Sequence, residues 1–293
     1  MLSCSIAAAT IAVTACAHGA IVQAGPAPAG PRTTAGPPPA HSSQAADRAR
    51  AARIRMVAVR DQFTACEQRI ERASGRVPAM AIVGASYTAG VGPGNAALSW
   101  AADLARNLRW DAVIDGVSGA GYVGTGTDGL GPMTRLLTAE NLPALAPSLV
   151  IVQAGYDDGL VPAGLERQQV LRTIELIRAE APLAKIGLVT VFTSPARPIP
   201  ARFYRIDSAI VAGARAADPN AIIMDPLTGQ WTYSHADDGL HPTAAGDAWV
   251  AQKVGAILRA HGIVSHPATT AGATPITCDL GVRGGGPDFV ASA

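Results

Sequence analysis

MAIVGASYTAG, residues 80–90, runs apolar to Val83, stops at Gly84 and then presents Ser86. A short apolar run bounded by glycine reads as a buried strand. A hydroxyl at its tip, followed by small residues, raises the question of what the rest of the chain brings to meet it. The same pattern recurs downstream. Strands are expected at 79–83, 110–114, 149–153, 186–192 and 221–224, separated by helices at 95–108, 165–179, 203–216 and 243–261. Asn95 and Thr243 are the expected caps. Continuous apolar strands separated by helices predict a parallel sheet covered on both faces. The expected architecture is therefore three-layer α/β/α with about five strands. Ligands of such sheets bind at the carboxyl ends of the strands, where Ser86, Ser118, Gly119, Asp157 and Ser194 fall.

At 293 residues the chain has room for one large domain plus extensions. Hydrophobic residues make up 48% and aromatics only 4%, so the core is expected to be mostly Ala, Val, Leu and Ile. A formal net charge of +1 offers no electrostatic case for nucleic acid or an anionic membrane, and neither is expected as a partner. No repeat at solenoid periods is present. Residues 1–16 are small and apolar, too short to span a bilayer and similar to the core of an export signal, although no Lys or Arg precedes that core. Val13-Thr14-Ala15-Cys16 resembles a lipobox, which would make Cys16 the lipidated residue. Simple signal cleavage and a non-signal N-terminus are the other readings. Residues 17–46, rich in Pro, Ala, Gly and Ser, read as a tether. Residues 47–77 read as a charged N-terminal helix with Ile54, Val57, Val59, Phe63, Cys66 and Ile70 on its apolar side. The domain proper spans 78–261, and the tail 262–293 is expected to wrap the surface.

Cysteine usage follows from that division. Cys4 leaves with the signal and Cys16 carries lipid, so Cys66 and Cys278 remain as an even pair in an oxidising compartment. A bridge between them would close a long loop, stabilising by about 5 kcal/mol as an upper figure in the chain-entropy model. Two separate buried thiols are the alternative.

HADDGLHPTAAGDAWVAQKV, residues 235–254, places Asp238 and His241 three apart in a loop that enters a helix. A carboxylate on one ring nitrogen fixes a histidine's tautomer and stabilises the imidazolium, leaving the other nitrogen to take a serine proton. The order Ser86, Asp238, His241 differs from that of the serine proteases. Gly84-Ala85-Ser86-Tyr87-Thr88 also lacks the second glycine of the G-x-S-x-G elbow. His235, Asp238 and His241 form a weaker alternative as metal ligands. No metal is expected, because no further histidine falls near the other strand ends. GVGPGN, 90–95, lacks the Lys-Ser/Thr of a phosphate loop and is read as clearance above Ser86. GYVGTGTDGLGPMT, 121–134, is read as a mobile loop over the site or a plain connector.

Four blocks, in order, resemble the SGNH/GDSL-type hydrolases over residues 78–261. VGASYT (83–88) is similar to the nucleophile block, with Ala85 and Tyr87 in place of the usual Asp and Leu. DGVSGAGY (115–122) is similar to the second block, and QAGYDDGL (153–160) to the third, normally Gly-x-Asn-Asp. DGLHPTAAG (238–246) matches the last block. The resemblance implies a flavodoxin-like SGNH fold, a Ser86–His241–Asp238 triad, and an oxyanion hole of the Ser86 and Gly119 N–H groups. Asp157 stands where the family places its asparagine donor. An ionised carboxylate there would repel the oxyanion. Asp157 is then neutral through burial and its neighbour Asp158, or turned away, or the enzyme is poor. The implied function is an exported serine esterase working through an acyl-enzyme, without metal or organic cofactor, monomeric, and touching membrane only through a lipid anchor. A cell-envelope acyltransferase of the same fold and a catalytically weak carbohydrate-binding protein are the rival functions. The glycine-lined approach leans towards short acyl chains.

Overall fold

The computed structural model describes residues 50–51, 54, 61, 64–66, 68–70, 77–126, 129–192, 196, 198–267 and 275–279. The expected signal and lipobox segment with Cys16, the expected tether at 17–46 and Ser194 lie outside them. The strands are β1 Ala79–Gly84, β2 Asp111–Gly116, β3 Leu149–Gln153, β4 Lys185–Val189, β5 Ile222–Met224 and β6 Thr277–Asp279. The helices are α1 Trp100–Leu108, α2 Met133–Ala139, α3 Leu142–Leu145, α4 Ala163–Glu180, α5 Ala201–Ala217 and α6 Ala244–Ala260. All strand pairs are parallel, in the order β5-β4-β3-β1-β2-β6.

Every residue of β1, β2 and β3 is buried, which is why these strands read as unbroken apolar runs rather than alternating ones. Their period of two still divides the side chains between two cores. Ala81, Val83, Val113, Val150 and Val152 face Val170, Ile174 and Ile177 of α4 and Ile206 and Ile210 of α5. Met80, Ile82, Ile114, Leu149 and Ile151 face Trp100, Leu104 and Leu108 of α1 and Val250, Val254 and Leu258 of α6. Each such Val, Leu, Ile or Met side chain contributes about 1.5–3 kcal/mol when fully buried. The result is the three-layer α/β/α fold expected.

The sheet has six strands rather than about five. The sixth comes from the tail, which does not merely wrap the surface. Ala112 N–H donates to the Ile276 carbonyl (2.9 Å), and Ile276 N–H donates to Asp111 Oδ1 (2.7 Å). An unpaired edge of β2 supplied backbone donors and acceptors that composition alone does not reveal. Cys66 and Cys278 form a disulfide with Cα atoms 6.0 Å apart, fastening β6 to the N-terminal helical residues. Those residues are helical at 50–51, 54, 61, 64–66 and 68–70. Cys66 and Ile70 are buried as expected, but Ile54 is exposed and faces no core.

The expected helix at 95–108 is broken in two. Asn95 caps a 3₁₀ turn, Ala96–Leu98, accepting from Ala97 N–H, and Ser99 restarts the chain as the cap of α1. Thr243 caps α6, accepting from Gly246 N–H at 3.2 Å. Asp247, on that helix, accepts Trp100 N–H at 3.1 Å and so caps α1 from a second helix. Burial pushes its carboxyl up to about 8 despite that bond, with Asp103 adding repulsion. Among the described residues no helix is long and apolar enough to cross a membrane. β1 lies between β2 and β3, so the connections after β1 and β2 leave in opposite directions. That reversal opens a crevice at the carboxyl end of β1.

Candidate active site

Ser86 sits in this crevice, two residues beyond β1 and only 6% exposed. The chain folds there into a tight turn: Ala89 N–H donates to the Ala85 carbonyl and Val91 N–H to the Ser86 carbonyl. Two glycines make the turn compact. A Cβ on Gly84 would overlap Thr88 Oγ1, and one on Gly116 of β2 would overlap the Ala89 backbone. The GVGPGN segment, read from sequence as clearance, packs against the histidine loop. A Cβ on Gly92 would land on the Pro242 carbonyl oxygen and press on His241 Cβ, so this glycine lets the backbone close against the histidine loop.

The loop carrying Asp238 and His241 is self-contained. Asp238 Oδ1 accepts the N–H groups of Leu240 (2.8 Å) and His241 (3.0 Å), an Asx-type turn that draws the imidazole back over the carboxylate. His241 Nδ1 then lies 2.5 Å from Asp238 Oδ2, and His241 Nε2 lies 2.8 Å from Ser86 Oγ. Burial pushes the Asp238 carboxyl up, but its bonds from His241 and Leu240 outweigh that and hold it below the usual range. An ionised carboxylate only accepts, so Nδ1–H donates to Asp238 and Nε2 accepts from the Ser86 hydroxyl. The Ala236 N–H bond to the His241 carbonyl and the Thr243 N–H bond to the Ser234 carbonyl close the loop's base. His235 is exposed, its Nδ1 3.0 Å from the Ala236 carbonyl. Among the described residues no cluster of three or more His, Cys, Asp or Glu side chains could hold a metal.

Behind the imidazole stands a wall built from the chain's few aromatics. The Tyr87 ring lies 5.2 Å from His241 and stacks on Phe192 at 4.3 Å. Phe192 meets Trp231 and Tyr233 edge-on, and Trp231 meets Trp249. Tyr87, in the place where the family carries leucine, thus limits the imidazole from one side.

The oxyanion candidates occupy neighbouring strand ends. Gly119 follows β2 with φ +74, a left-handed conformation suited to glycine. Asp157 follows β3 and reaches solvent, whereas its neighbour Asp158 is fully buried. Protein crowds the Asp157 carboxyl enough that desolvation, then repulsion from Asp158, push it up to about 7 against one backbone N–H bond. Asp158 turns the other way. Its Oδ2 accepts Tyr122 N–H at 2.6 Å and its Oδ1 accepts Gly124 N–H at 2.8 Å, in a space kept open by Gly121. Burial raises the Asp158 carboxyl and these bonds partly restore it, while burial and Asp158 push Glu166 on α4 up to about 9. The 121–124 segment is therefore clamped to the third block rather than a mobile loop, and 133–139 is helix α2.

Sequence reasoning noted Asp158 only as the neighbour of Asp157 and Thr88 only as the residue in place of a glycine; it missed the bracing contacts both make, and Gln153 altogether. The signals were present: a second acid beside Asp157, and a glutamine ending the apolar run LVIVQ as Ser86 follows β1.

Comparison with known proteins speaks to the fold and the family. A protein of Mycobacterium tuberculosis named as a GDSL lipase is 29% identical over 195 residues, covering 62% of this chain and 82% of the relative. Among solved structures, a family 2 carbohydrate esterase of Clostridium thermocellum in complex with cellohexaose superposes with a TM-score of 0.53 at 19% identity, covering 64% of this chain and 65% of that one. A Corynascus family 2 carbohydrate esterase carrying a carbohydrate-binding domain gives 0.52 at 21% identity, covering 63% and 67%. At that identity the two share the fold. The sequence pattern that defines the GDSL-like Lipase/Acylhydrolase family matches residues 82–249, more than half of the chain, and this protein belongs to that family.

Proposed function

We propose that the chain is an exported serine esterase that hydrolyses acyl esters through an acyl-enzyme on Ser86. The observation that carries this reading is the continuous relay from Ser86 Oγ to His241 Nε2 and from His241 Nδ1 to Asp238 at the sheet's switch point. His241 Nε2 takes the hydroxyl proton as Ser86 Oγ attacks the ester carbonyl carbon. The resulting oxyanion is received by the Ser86 and Gly119 N–H groups, with Asp157 as a third donor while it is protonated. Collapse expels the alcohol, which leaves with the proton from Nε2. Water, deprotonated by the same nitrogen, then releases the acid and frees Ser86. Asp238 keeps the imidazole in the required tautomer and offsets its charge. Export rests on the apolar segment before Cys16, the lipobox-like residues and the Cys66–Cys278 disulfide, which suits an oxidising compartment.

The test is covalent labelling of the folded protein by a fluorophosphonate, mapped by mass spectrometry, beside turnover of chromogenic esters of increasing acyl length and of acetylated sugars. Modification at Ser86, with turnover lost in Ser86→Ala, is expected. A folded wild type that neither labels nor turns over any ester overturns the reading.

A further inference from the structure

Gln153 ends β3, and the parallel register sets it opposite Gly84 of β1. Its main-chain carbonyl accepts Ala85 N–H at 3.1 Å, as sheet geometry requires. Its side chain then returns to the same place. Oε1 accepts that N–H at 3.1 Å and the Thr88 hydroxyl at 2.9 Å. The backbone donor settles which end of the amide faces the turn, so Thr88 Oγ1 donates. One oxygen therefore grips the residue before Ser86 and the second residue after it. Gly84 leaves the space, since a Cβ there would overlap Thr88 Oγ1 and stand 2.9 Å from Gln153 Oε1.

Gln153 and Thr88 are both wholly buried. Gln153 Nε2 is also buried, without a hydrogen-bond partner among the described residues. An amide with idle donors in the interior is less stable than an apolar side chain of the same shape. A methionine would fill this volume without that penalty. What the amide supplies is the oxygen, and the oxygen is spent on the nucleophile turn.

We infer that Gln153 is a positioning residue, whose side-chain oxygen fixes the turn that presents Ser86 to His241. This rests on the esterase reading above. A misplacement of about 1 Å at a reacting atom costs on the order of 100-fold in rate, so loosening this grip is felt in the chemical step rather than in substrate binding.

The variants are Gln153→Met, which keeps shape and removes the acceptor, Gln153→Glu, which keeps the acceptor, and Thr88→Val. Expected for Gln153→Met is a loss of about 10- to 100-fold in kcat with KM nearly unchanged, and an equal loss in the rate of fluorophosphonate labelling of Ser86. Gln153→Glu recovers most of the rate. Thr88→Val falls in the same direction by a smaller factor, and the double variant Gln153→Met/Thr88→Val is no slower than Gln153→Met, which already removes the contact that Thr88→Val cuts. A merely structural role would lower thermal stability while the folded enzyme kept its kcat and labelling rate. Labelling of folded Gln153→Met within twofold of wild type overturns the inference. Should that variant not fold, full-rate labelling of Thr88→Val does so instead. An unlabelled wild type overturns the esterase reading and this inference together, whereas a labelled wild type with full-rate variants overturns this one alone.

Discussion

Residues 84–91 and residues 235–243 meet at one hydrogen bond, Ser86 Oγ to His241 Nε2, yet they are held by opposite kinds of contact. The histidine loop holds itself. Asp238 braces Leu240 and His241 through one oxygen and the imidazole through the other, all within three residues. The serine turn has its own two backbone bonds, but its side-chain brace comes from a distance, from Gln153 of β3, with the missing Cβ of Gly116 in β2 and the sheet register fixing its place. A local brace survives local change and tolerates exposure; the Asp238 side chain is 46% exposed. A remote brace works only once the sheet has formed, and its partners are accordingly buried.

Substitution at the junction breaks the comparison most severely. His241→Ala removes the one group both regions share, and kcat is expected to fall by about 10⁴-fold or more without loss of fold, read from steady-state hydrolysis and circular dichroism. Asp238→Asn keeps a turn acceptor but spoils the tautomer. A loss of about 10³-fold in kcat is expected, less than for a fully buried triad acid because water reaches this one. Asp238→Ala falls further and melts earlier, since it also frees two backbone N–H groups. Gly92→Ala tests the seam between the regions: its methyl meets the Pro242 carbonyl, a backbone atom that must shift and carry His241 with it. About 10- to 100-fold in kcat with little change in KM is the expected loss.

The smallest effect belongs to Asp157→Asn. With its carboxyl pushed up to about 7, Asp157 would act in the proposed mechanism as a neutral donor below that pH and as a charge opposing the oxyanion above it. Wild-type kcat should therefore decline as pH rises through about 7, whereas Asp157→Asn should lack that decline. At pH 6 the two are expected to agree within about threefold, and above pH 8 the variant should be faster. A large loss in the variant at every pH would mean that Asp157 contributes through its charge.

The histidine loop was open to reading because a three-residue spacing is a short-range geometric constraint. Asp238 can reach His241 in few other ways, and Thr243 marks the helix that follows. The strands were equally readable, since burial on both faces leaves them no polar positions. Ser86 was located by that logic, at the end of an apolar run. Gln153 ends another such run, but a lone glutamine there is as compatible with a solvent-facing cap as with a brace. The block resemblance singled out Asp157, but nothing local to the pair says that one acid sits at the mouth and the other beneath it, a difference set by the direction each side chain takes on leaving β3. The helix at 95–108 was split because Ser99 outcompeted Asn95 for α1, and an isolated cap residue does not announce its rank.

What the amino-acid sequence determined by itself is what neighbouring residues enforce on each other: buried parallel strands, the caps Asn95 and Thr243, the Asp238–His241 pair, and the candidacy of Cys66 and Cys278. The tertiary structure alone decided the sixth strand, the divergence of Asp157 from Asp158, and the oxygen of Gln153 at the serine turn. Those outcomes depend on register and on which surfaces remain unpaired after collapse. Such contacts join residues tens of positions apart, and no local spacing encodes them.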